Sequence, residues 1–118
     1  MSPSRPPLTP RVYRVADAAQ TVEDLRGSGW DVRQATAART SAELYAGLAA
    51  ALTLPSWFGA NLDALWDSLA DLERPTALVL TGWDGFADAD PDGARRFLAV
   101  FADRVREEPA FVVLLASG

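Results

Sequence analysis

The stretch LPSWFGANLDALWDSL, residues 54–69, decides how the rest of the chain is arranged. Pro55 ends a preceding helix, and Asn61 can begin a new one because its side-chain oxygen accepts from the free N–H groups of a first helical turn. Gly59 stands just before this cap, and a glycine there tolerates a left-handed backbone. The stretch therefore predicts a tight loop followed by a helix over residues 61–72.

The predicted helix has two faces of opposite character. At about 100° per residue, its leucines cluster on one side, whereas Asp63, Asp67 and Asp71 form an i, i+4 line on the other. Trp66 lies at the boundary between the two faces. Like charges at this spacing destabilise a helix by a few tenths of a kcal/mol per pair. A sequence selected only for folding would place cations among them.

The acidic line allows two interpretations. It is either a plain solvated face or part of a binding surface. Trp57, Phe58 and Trp66 neighbour the carboxylates, and aromatic residues around a charged centre are typical of anchors in protein–protein interfaces. For the aromatic pair, burial under the loop is the alternative, and it suits Phe58 better than Trp57. The neighbours favour a binding surface.

Composition excludes several classes of function. The chain has no cysteine and no histidine, so it cannot carry a disulfide framework, a thiolate or imidazole metal site, or Ser-His or Cys-His catalysis. No apolar run approaches the roughly 18 residues of a membrane span, and the N-terminus lacks the apolar core of a secretory signal. We therefore expect a cytoplasmic protein without membrane contact.

The charge is distributed unevenly along the chain. Residues 1–40 carry six arginines against four acids, whereas residues 41–118 carry five arginines against twelve acids, and the net charge is −5. Direct binding of nucleic acid requires a basic face that neutralises phosphates, so this distribution argues against it. An acidic surface instead favours a basic protein partner, because opposite fields speed encounter.

The remaining pattern predicts strands that alternate with helices. Strands are predicted at residues 30–35, 77–80 and 111–115, and helices at residues 21–26, from a capping box at Thr40 and Glu43 to Pro55, and at 91–107. Residues 11–15 can form a short edge strand or an extended lead-in. The proline-rich residues 1–10 are predicted to be a disordered tail, and residues 11–118 one small α/β domain with a parallel sheet.

Residues 81–90 are predicted to be a loop against which Trp83 and Phe86 tuck. Aspartates at 84, 88, 90 and 92 weakly suggest calcium, but the spacing lacks the closing glutamate of an EF-hand loop. Capping by Asp90, with Pro91 at the first helical position, explains the same residues. We therefore expect no metal and no cofactor.

The central stretch closely resembles the signature of the barstar family, the protein inhibitors of small secreted bacterial ribonucleases. Every fixed position of that signature is filled, by Leu54, Pro55, Trp57, Phe58, Gly59, Asn61, Asp63, Ala64, Leu65, Asp67 and Leu69. The similarity extends from Trp30 to Leu115 and leaves out the N-terminal lead-in. It implies a barstar-like fold, a three-stranded parallel sheet in the order 1-2-3 with helices packed on it.

The resemblance also implies a mechanism and a set of binding residues. The loop and helix would plug the active site of a basic, barnase-type ribonuclease or related toxin, one to one, with carboxylates in place of RNA phosphate. Such a protein would be an antitoxin or immunity protein, a monomer when free and not an enzyme. Asp67 would be the central carboxylate, supported by Asp63. The other binding residues implied are Trp57 and Trp66, Asn61 and Gly59 as the residues that shape the loop, and Asp103 at the periphery.

Two departures and two rival interpretations accompany this resemblance. Trp57 stands where the family commonly carries tyrosine, and Ala60 lacks an acidic side chain found in some members, so the two changes suggest a different partner. One rival is an enzyme that uses Asp63 and Asp67 as an acid and base pair or as magnesium ligands. It fares poorly, because all the acids lie on one helix. The other rival is an adaptor of the same fold that binds another basic protein.

Overall fold

The computed structural model describes residues 9–55 and 59–117. Most of the predicted tail, residues 1–10, lies outside this range. In chain order the elements are β1 (Val12–Val15), α1 (Ala19–Gly27), β2 (Asp31–Thr36), α2 (Ser41–Ala51), α3 (Leu62–Ala70), β3 (Thr76–Thr81), α4 (Trp83–Ala89), α5 (Pro91–Arg104) and β4 (Phe111–Ala116). The predicted α/β class is confirmed. No helix within the described ranges is long and apolar enough to cross a membrane.

The sheet is parallel throughout and has the strand order β1-β4-β3-β2. The three predicted strands, β2, β3 and β4, lie side by side in the expected order, but the prediction of a three-stranded sheet is wrong. Residues 12–15 add a fourth strand, in which Val12 pairs with Val113 and Val15 with Ala116. Every residue of β4 is buried, so its outer edge requires a partner for its backbone groups, and β1 supplies it.

Helices cover both faces of this sheet. Helices α2 to α5 bury one face, around a core that includes Leu44, Leu48, Leu65, Leu69, Leu78, Leu80, Trp83, Phe86, Phe97, Phe101, Phe111 and Val113. On the other face, α1 packs with Trp30 over a smaller core that includes Val22, Leu25, Ala77, Val79, Val112 and Leu114. The unbroken apolar runs of β3 and β4 are the expected pattern for strands buried on both faces.

The segment predicted to be a loop at residues 81–90 contains helix α4. Gly82 has φ +71°, a left-handed conformation that turns the chain out of β3 directly into the helix. Trp83 and Phe86 lie one turn apart on the buried side of α4, with ring centroids 5.4 Å apart. Their predicted burial is confirmed, and it is this i, i+3 pairing that favours a helix over a loop.

Two predicted helices end earlier than the sequence pattern indicates. Helix α5 ends at Arg104 rather than at residue 107, and α3 ends at Ala70 rather than at residue 72. Beyond each end the N–H groups bond three residues back, from Glu107 to Arg104 and from Leu72 to Leu69. Such tightened final turns are common at helix ends.

Candidate partner-binding site

The loop before α3 starts from a fixed turn at the end of α2. Thr53 is left-handed, with φ +55°, and its N–H donates to Ala50 O at 3.3 Å. The N–H of Leu54 donates to Ala49 O at 2.9 Å. These two bonds form the pattern that usually closes a helix on glycine. A β-branched residue in this conformation costs about 1–2 kcal/mol, so the turn needs support from its surroundings.

Asn61 fixes the other end of the loop through hydrogen bonds made by both the oxygen and the nitrogen of its side-chain amide. Its Oδ1 accepts from the N–H of Ala64 at 2.8 Å, and its Nδ2 donates to Gly59 O at 3.1 Å. The predicted N-cap is confirmed, and the cap also holds the loop.

Gly59 does not use the left-handed backbone that glycine tolerates. The left-handed residue is Ala60, with φ +49°. Gly59 meets a different constraint, because a Cβ atom there would lie 3.0 Å from Asn61 Nδ2. A side chain at position 59 would therefore push against the amide that caps α3.

Helix α3 separates its apolar and acidic residues as predicted. Leu65 and Leu69 are 0% exposed and pack in the main core. Asp63 and Asp67 are exposed, and so is Asp71, which caps the C-terminal end of the helix. Trp66 is half-buried beside them, at the predicted boundary. The helix thus presents a line of carboxylates on a rigid, buried support.

None of these three carboxylates has a cationic neighbour within 4.0 Å among residues 9–55 and 59–117. The ion pairs in those ranges lie elsewhere, between Arg14 and Asp84, Arg33 and Asp31, and Arg95 and Asp92. The acidic line is therefore not neutralised by this part of the chain. Its field is directed to solvent.

A groove of about 420 Å³ runs beside the acidic line. Its described walls consist of the turn after α2 on one side and α3 on the other, and they comprise Leu52, Leu54, Pro55, Gly59, Ala64, Asp67, Ser68, Asp71 and Leu72. The lining is mainly apolar and includes two carboxylates, Asp67 and Asp71. An arginine or lysine side chain suits such a groove, since its stem is apolar and its end is charged.

A family model for barstar, described as the barnase inhibitor, matches residues 32–116. The chain belongs to the barstar family. The match covers β2 to β4, including α3 and the loop before it, and begins after β1 and α1. Barstar-family proteins bind barnase-type ribonucleases and are inhibitors rather than enzymes.

The structure does not place all the binding residues implied by the barstar resemblance on α3 and its loop. Trp57 lies outside the described residues. Asp103 is exposed on α5, one residue before the point where that helix contacts the end of α3. Asp63, Asp67, Trp66, Asn61 and Gly59 belong to α3 and its loop, so the structure brings most of the predicted set together. Their role in binding stays a prediction.

Sequence reasoning missed Arg104, which anchors the C-terminal end of α3. This arginine is 0% exposed, and its Nε donates to Leu69 O at 2.8 Å while its Nη1 donates to Glu107 O at 3.0 Å. It also stacks on Phe111, with 5.3 Å between Cζ and the ring centroid. Burial lowers the pKa of Arg104 from its ordinary value. A cation at a helix C-terminus interacts favourably with the negative end of the helix dipole and so stabilises the helix.

A signal for Arg104 was present in the sequence. Arg104 follows Phe97 by seven residues and Phe101 by three, so helical periodicity places it on the apolar stripe of α5. A charged residue on such a stripe indicates either that the buried part of the helix ends there or that the charged side chain is buried against a partner. Here the partner is the last turn of α3.

The aspartates around α4 stabilise the fold. Asp90 Oδ1 accepts from Gly93 N at 2.9 Å, which confirms the predicted cap of α5, and its Oδ2 accepts from Ser41 Oγ at 3.2 Å. Asp84 pairs with Arg14 at 2.8 Å. Among the residues that the structure describes, no group of three or more acidic side chains is placed to hold a metal ion.

Proposed function

We propose that this barstar-family protein inhibits a small basic ribonuclease of the barnase type by blocking its active site. The acidic face of α3 and the loop before it form the blocking surface, and the carboxylates take the places of RNA phosphates. Asp67 is the central carboxylate, and Asp63 supports it from one turn earlier. The chain would then act as an antitoxin or immunity protein in the cytoplasm, as a monomer that binds one ribonuclease molecule, without catalysis of its own.

The observation that carries this proposal is the uncompensated acidic line on α3. Asp63, Asp67 and Asp71 are exposed, repel each other and have no cation within ion-pair distance in the described part of the chain. Removing these charges would not harm the core, because it lies on the opposite side of the helix. A surface that is unfavourable for folding and oriented to solvent is best explained by a partner that supplies the missing cations.

The support of α3 suits tight binding. Asn61 fixes its first turn and Arg104 its last, and Leu65 and Leu69 bury its inner side. A partner therefore does not need to order the helix when it binds, which is the main cost that preorganisation removes. Arginine side chains of a phosphate-binding site can form charge-assisted hydrogen bonds with carboxylates held in this way.

Trp57 and Ala60 favour a cognate ribonuclease that differs from the best-known one. Trp57 keeps an aromatic ring at its position but has no phenol oxygen for a hydrogen bond. Ala60 carries no charge and adopts φ +49°, so its short side chain leaves the loop without an additional acid. The central carboxylate is retained while its surroundings change, and this combination favours a related partner with altered contacts.

The salt dependence of binding to a barnase-type ribonuclease tests the proposal against the adaptor of the same fold. Raising the ionic strength from about 0.01 M to about 1 M shortens the Debye length from about 30 Å to about 3 Å. For an inhibitor that uses the acidic line, the association rate should fall steeply over this range, with little change in the dissociation rate. Binding that relies on Trp57 and Trp66 rather than on the acidic line would show far less salt dependence, and an adaptor for another basic protein would not bind this ribonuclease. A lack of binding at every salt concentration would contradict inhibition of this ribonuclease class.

A further inference from the structure

The ion pair between Asp31 and Arg33 is the most buried of those in the described ranges. Arg33 Nε donates to Asp31 Oδ1 at 2.8 Å, and Nη2 donates to Oδ2 at 3.0 Å, so the contact is bidentate. The side chain of Arg33 is 35% exposed and that of Asp31 23%, whereas every side chain in the other two pairs is at least 51% exposed. These hydrogen bonds lower the pKa of the Asp31 carboxyl. The carboxylate therefore fixes the plane and direction of the guanidinium.

The fixed guanidinium donates to the end of α2. Its Nη1 reaches Ala51 O at 2.9 Å and Thr53 Oγ1 at 3.2 Å. Ala51 is the last residue of the helix, and Thr53 is the left-handed residue that follows it. One arginine on β2 thus bonds both the final carbonyl of α2 and the side chain of the strained turn.

The Thr53 turn determines one wall of the groove beside Asp67. Leu52 and Leu54 flank Thr53, and both line that groove opposite α3. A β-branched residue has little intrinsic preference for φ +55°, so its surroundings must hold it there. Arg33 provides two of the contacts that do so.

We propose that Arg33, held by Asp31, is a positioning residue for partner binding that fixes the Thr53 turn and, through it, the groove wall facing Asp67. The inference rests on the proposed function and extends it, since neither residue of the pair lies in the loop or on α3. A wall that is already in place spares the complex the cost of ordering this segment. The pair therefore acts through the turn rather than through contact with the ribonuclease.

Charge substitutions separate positioning from electrostatic attraction. Arg33→Gln makes the protein more acidic and Asp31→Asn makes it less acidic, so a purely electrostatic role would strengthen binding of a basic ribonuclease in the first case and weaken it in the second. A positioning role predicts that both variants bind the ribonuclease more weakly than wild type does. We expect an affinity loss of about tenfold for Arg33→Gln and a smaller loss for Asp31→Asn, measured with a barnase-type ribonuclease.

Two further variants control for charge and for folding. Arg95→Gln removes an equal charge from an exposed pair on α5 and should leave affinity unchanged or slightly raised. Thr53→Gly adopts φ +55° without strain, so its melting temperature should be retained or raised. Combined with Arg33→Gln, it should restore most of the affinity that Arg33→Gln alone loses, because glycine holds the turn without the arginine. Direct contact of Arg33 with the ribonuclease would not produce such a rescue.

Amide hydrogen exchange in the free protein tests the positioning without any partner. The N–H groups of Thr53 and Leu54 should exchange faster in Arg33→Gln and at the wild-type rate in Arg95→Gln. Unchanged exchange in Arg33→Gln would overturn the inference, as would tighter binding by Arg33→Gln or a failure of Thr53→Gly to raise the affinity of Arg33→Gln. If wild-type protein fails to bind the ribonuclease, the proposed function fails and the binding role of the pair with it, whereas the exchange rates still decide whether the pair holds the turn.

Discussion

The two sides of α3 and its C-cap residue follow different physical constraints within ten consecutive residues, 62–71. The inner side places Leu65 and Leu69 in the core with no exposed surface, where any change of volume affects packing. The outer side carries Asp63, Asp67 and Asp71 in solvent without a cation beside them in the described part of the chain. Stability depends on the first set, and we propose that binding depends on the second.

This contrast shows how one helix can present a surface that disfavours folding. Repulsion along the acidic line costs a few tenths of a kcal/mol per pair, whereas each buried leucine stabilises the fold by about 1.5–3 kcal/mol. The stabilisation from the buried leucines therefore exceeds the cost of the acidic repulsion by a wide margin. Asn61 and Arg104 contribute further at the two ends of the helix. Substitutions on the two sides should consequently separate affinity from stability.

The largest effect is expected for Asp67→Ala on affinity. A central carboxylate that meets the phosphate-binding arginines of a ribonuclease should contribute more than about 2 kcal/mol, or more than about thirtyfold in the dissociation constant. This is the general range of interface hot spots, for which the barnase–barstar complex is itself a standard example. The melting temperature should hardly change, because the side chain is exposed. Titration calorimetry and thermal unfolding of the same sample measure both. Asp24→Ala on α1, across the sheet, is the control of equal charge and should bind like wild type.

Leu69→Ala should show the opposite pattern. Truncation of a fully buried leucine lowers the free energy of unfolding by about 2–5 kcal/mol, because a cavity is left in the core. Denaturant titration measures this loss. Affinity per folded molecule should stay close to wild type as long as α3 keeps its place. A large loss of affinity in a folded Leu69→Ala sample would contradict the separation of the two sides.

Asn61→Ala should affect both properties, since Asn61 belongs to the helix and to the loop. Loss of the cap should destabilise the protein by about 1 kcal/mol. Release of Gly59 O should also weaken ribonuclease binding severalfold, since the loop is no longer tied to the helix. Asn61→Asp keeps the capping oxygen but not the donor to Gly59. It should therefore retain stability and still bind less tightly, as thermal unfolding and titration of the two variants would reveal.

The smallest effects are the changes in stability expected when Asp63 or Asp71, the acids on either side of Asp67, is neutralised singly. Asp71→Asn removes one repulsion and an unfavourable charge at the helix C-terminus, so stability should rise by about 0.2–0.5 kcal/mol. Asp63→Asn removes a similar repulsion but also a charge that the helix N-terminus favours, so its stability should stay nearly level or fall slightly. Both changes should slow association at low salt. Equal stability changes in the two variants would show that the helix dipole has no role here.

The sequence predicted the regular parts of this molecule well because they depend on local patterns. The cap at Asn61, the two faces of α3 and the cap at Asp90 each follow from residues within one or two turns. The order of β2, β3 and β4 followed from the resemblance. Neither β1 nor α4 could be settled in the same way, since β1 is stabilised by the edge of β4 and α4 by burial of Trp83 and Phe86 in the core.

The contacts that hold the candidate site were the hardest to predict. Arg104 donates to Leu69 O, 35 residues earlier in the sequence. Arg33 donates to Thr53 Oγ1, 20 residues later. Local pattern can show that an arginine is on an apolar stripe or a strand, but it cannot identify the distant backbone group that the arginine meets. The acidic line itself needed no such knowledge, because its spacing is visible within α3.

The most direct test of the central claim is RNA cleavage by a barnase-type ribonuclease, titrated with this protein and with Asp67→Ala at equal concentrations. We expect the wild-type protein to abolish cleavage near one-to-one, and the folded Asp67→Ala variant to leave most activity at the same ratio. Inhibition by both proteins alike would contradict the role of Asp67 and move the blocking surface away from α3. If neither protein inhibits, the claim fails for barnase-type ribonucleases, and an adaptor that binds another basic protein gains support.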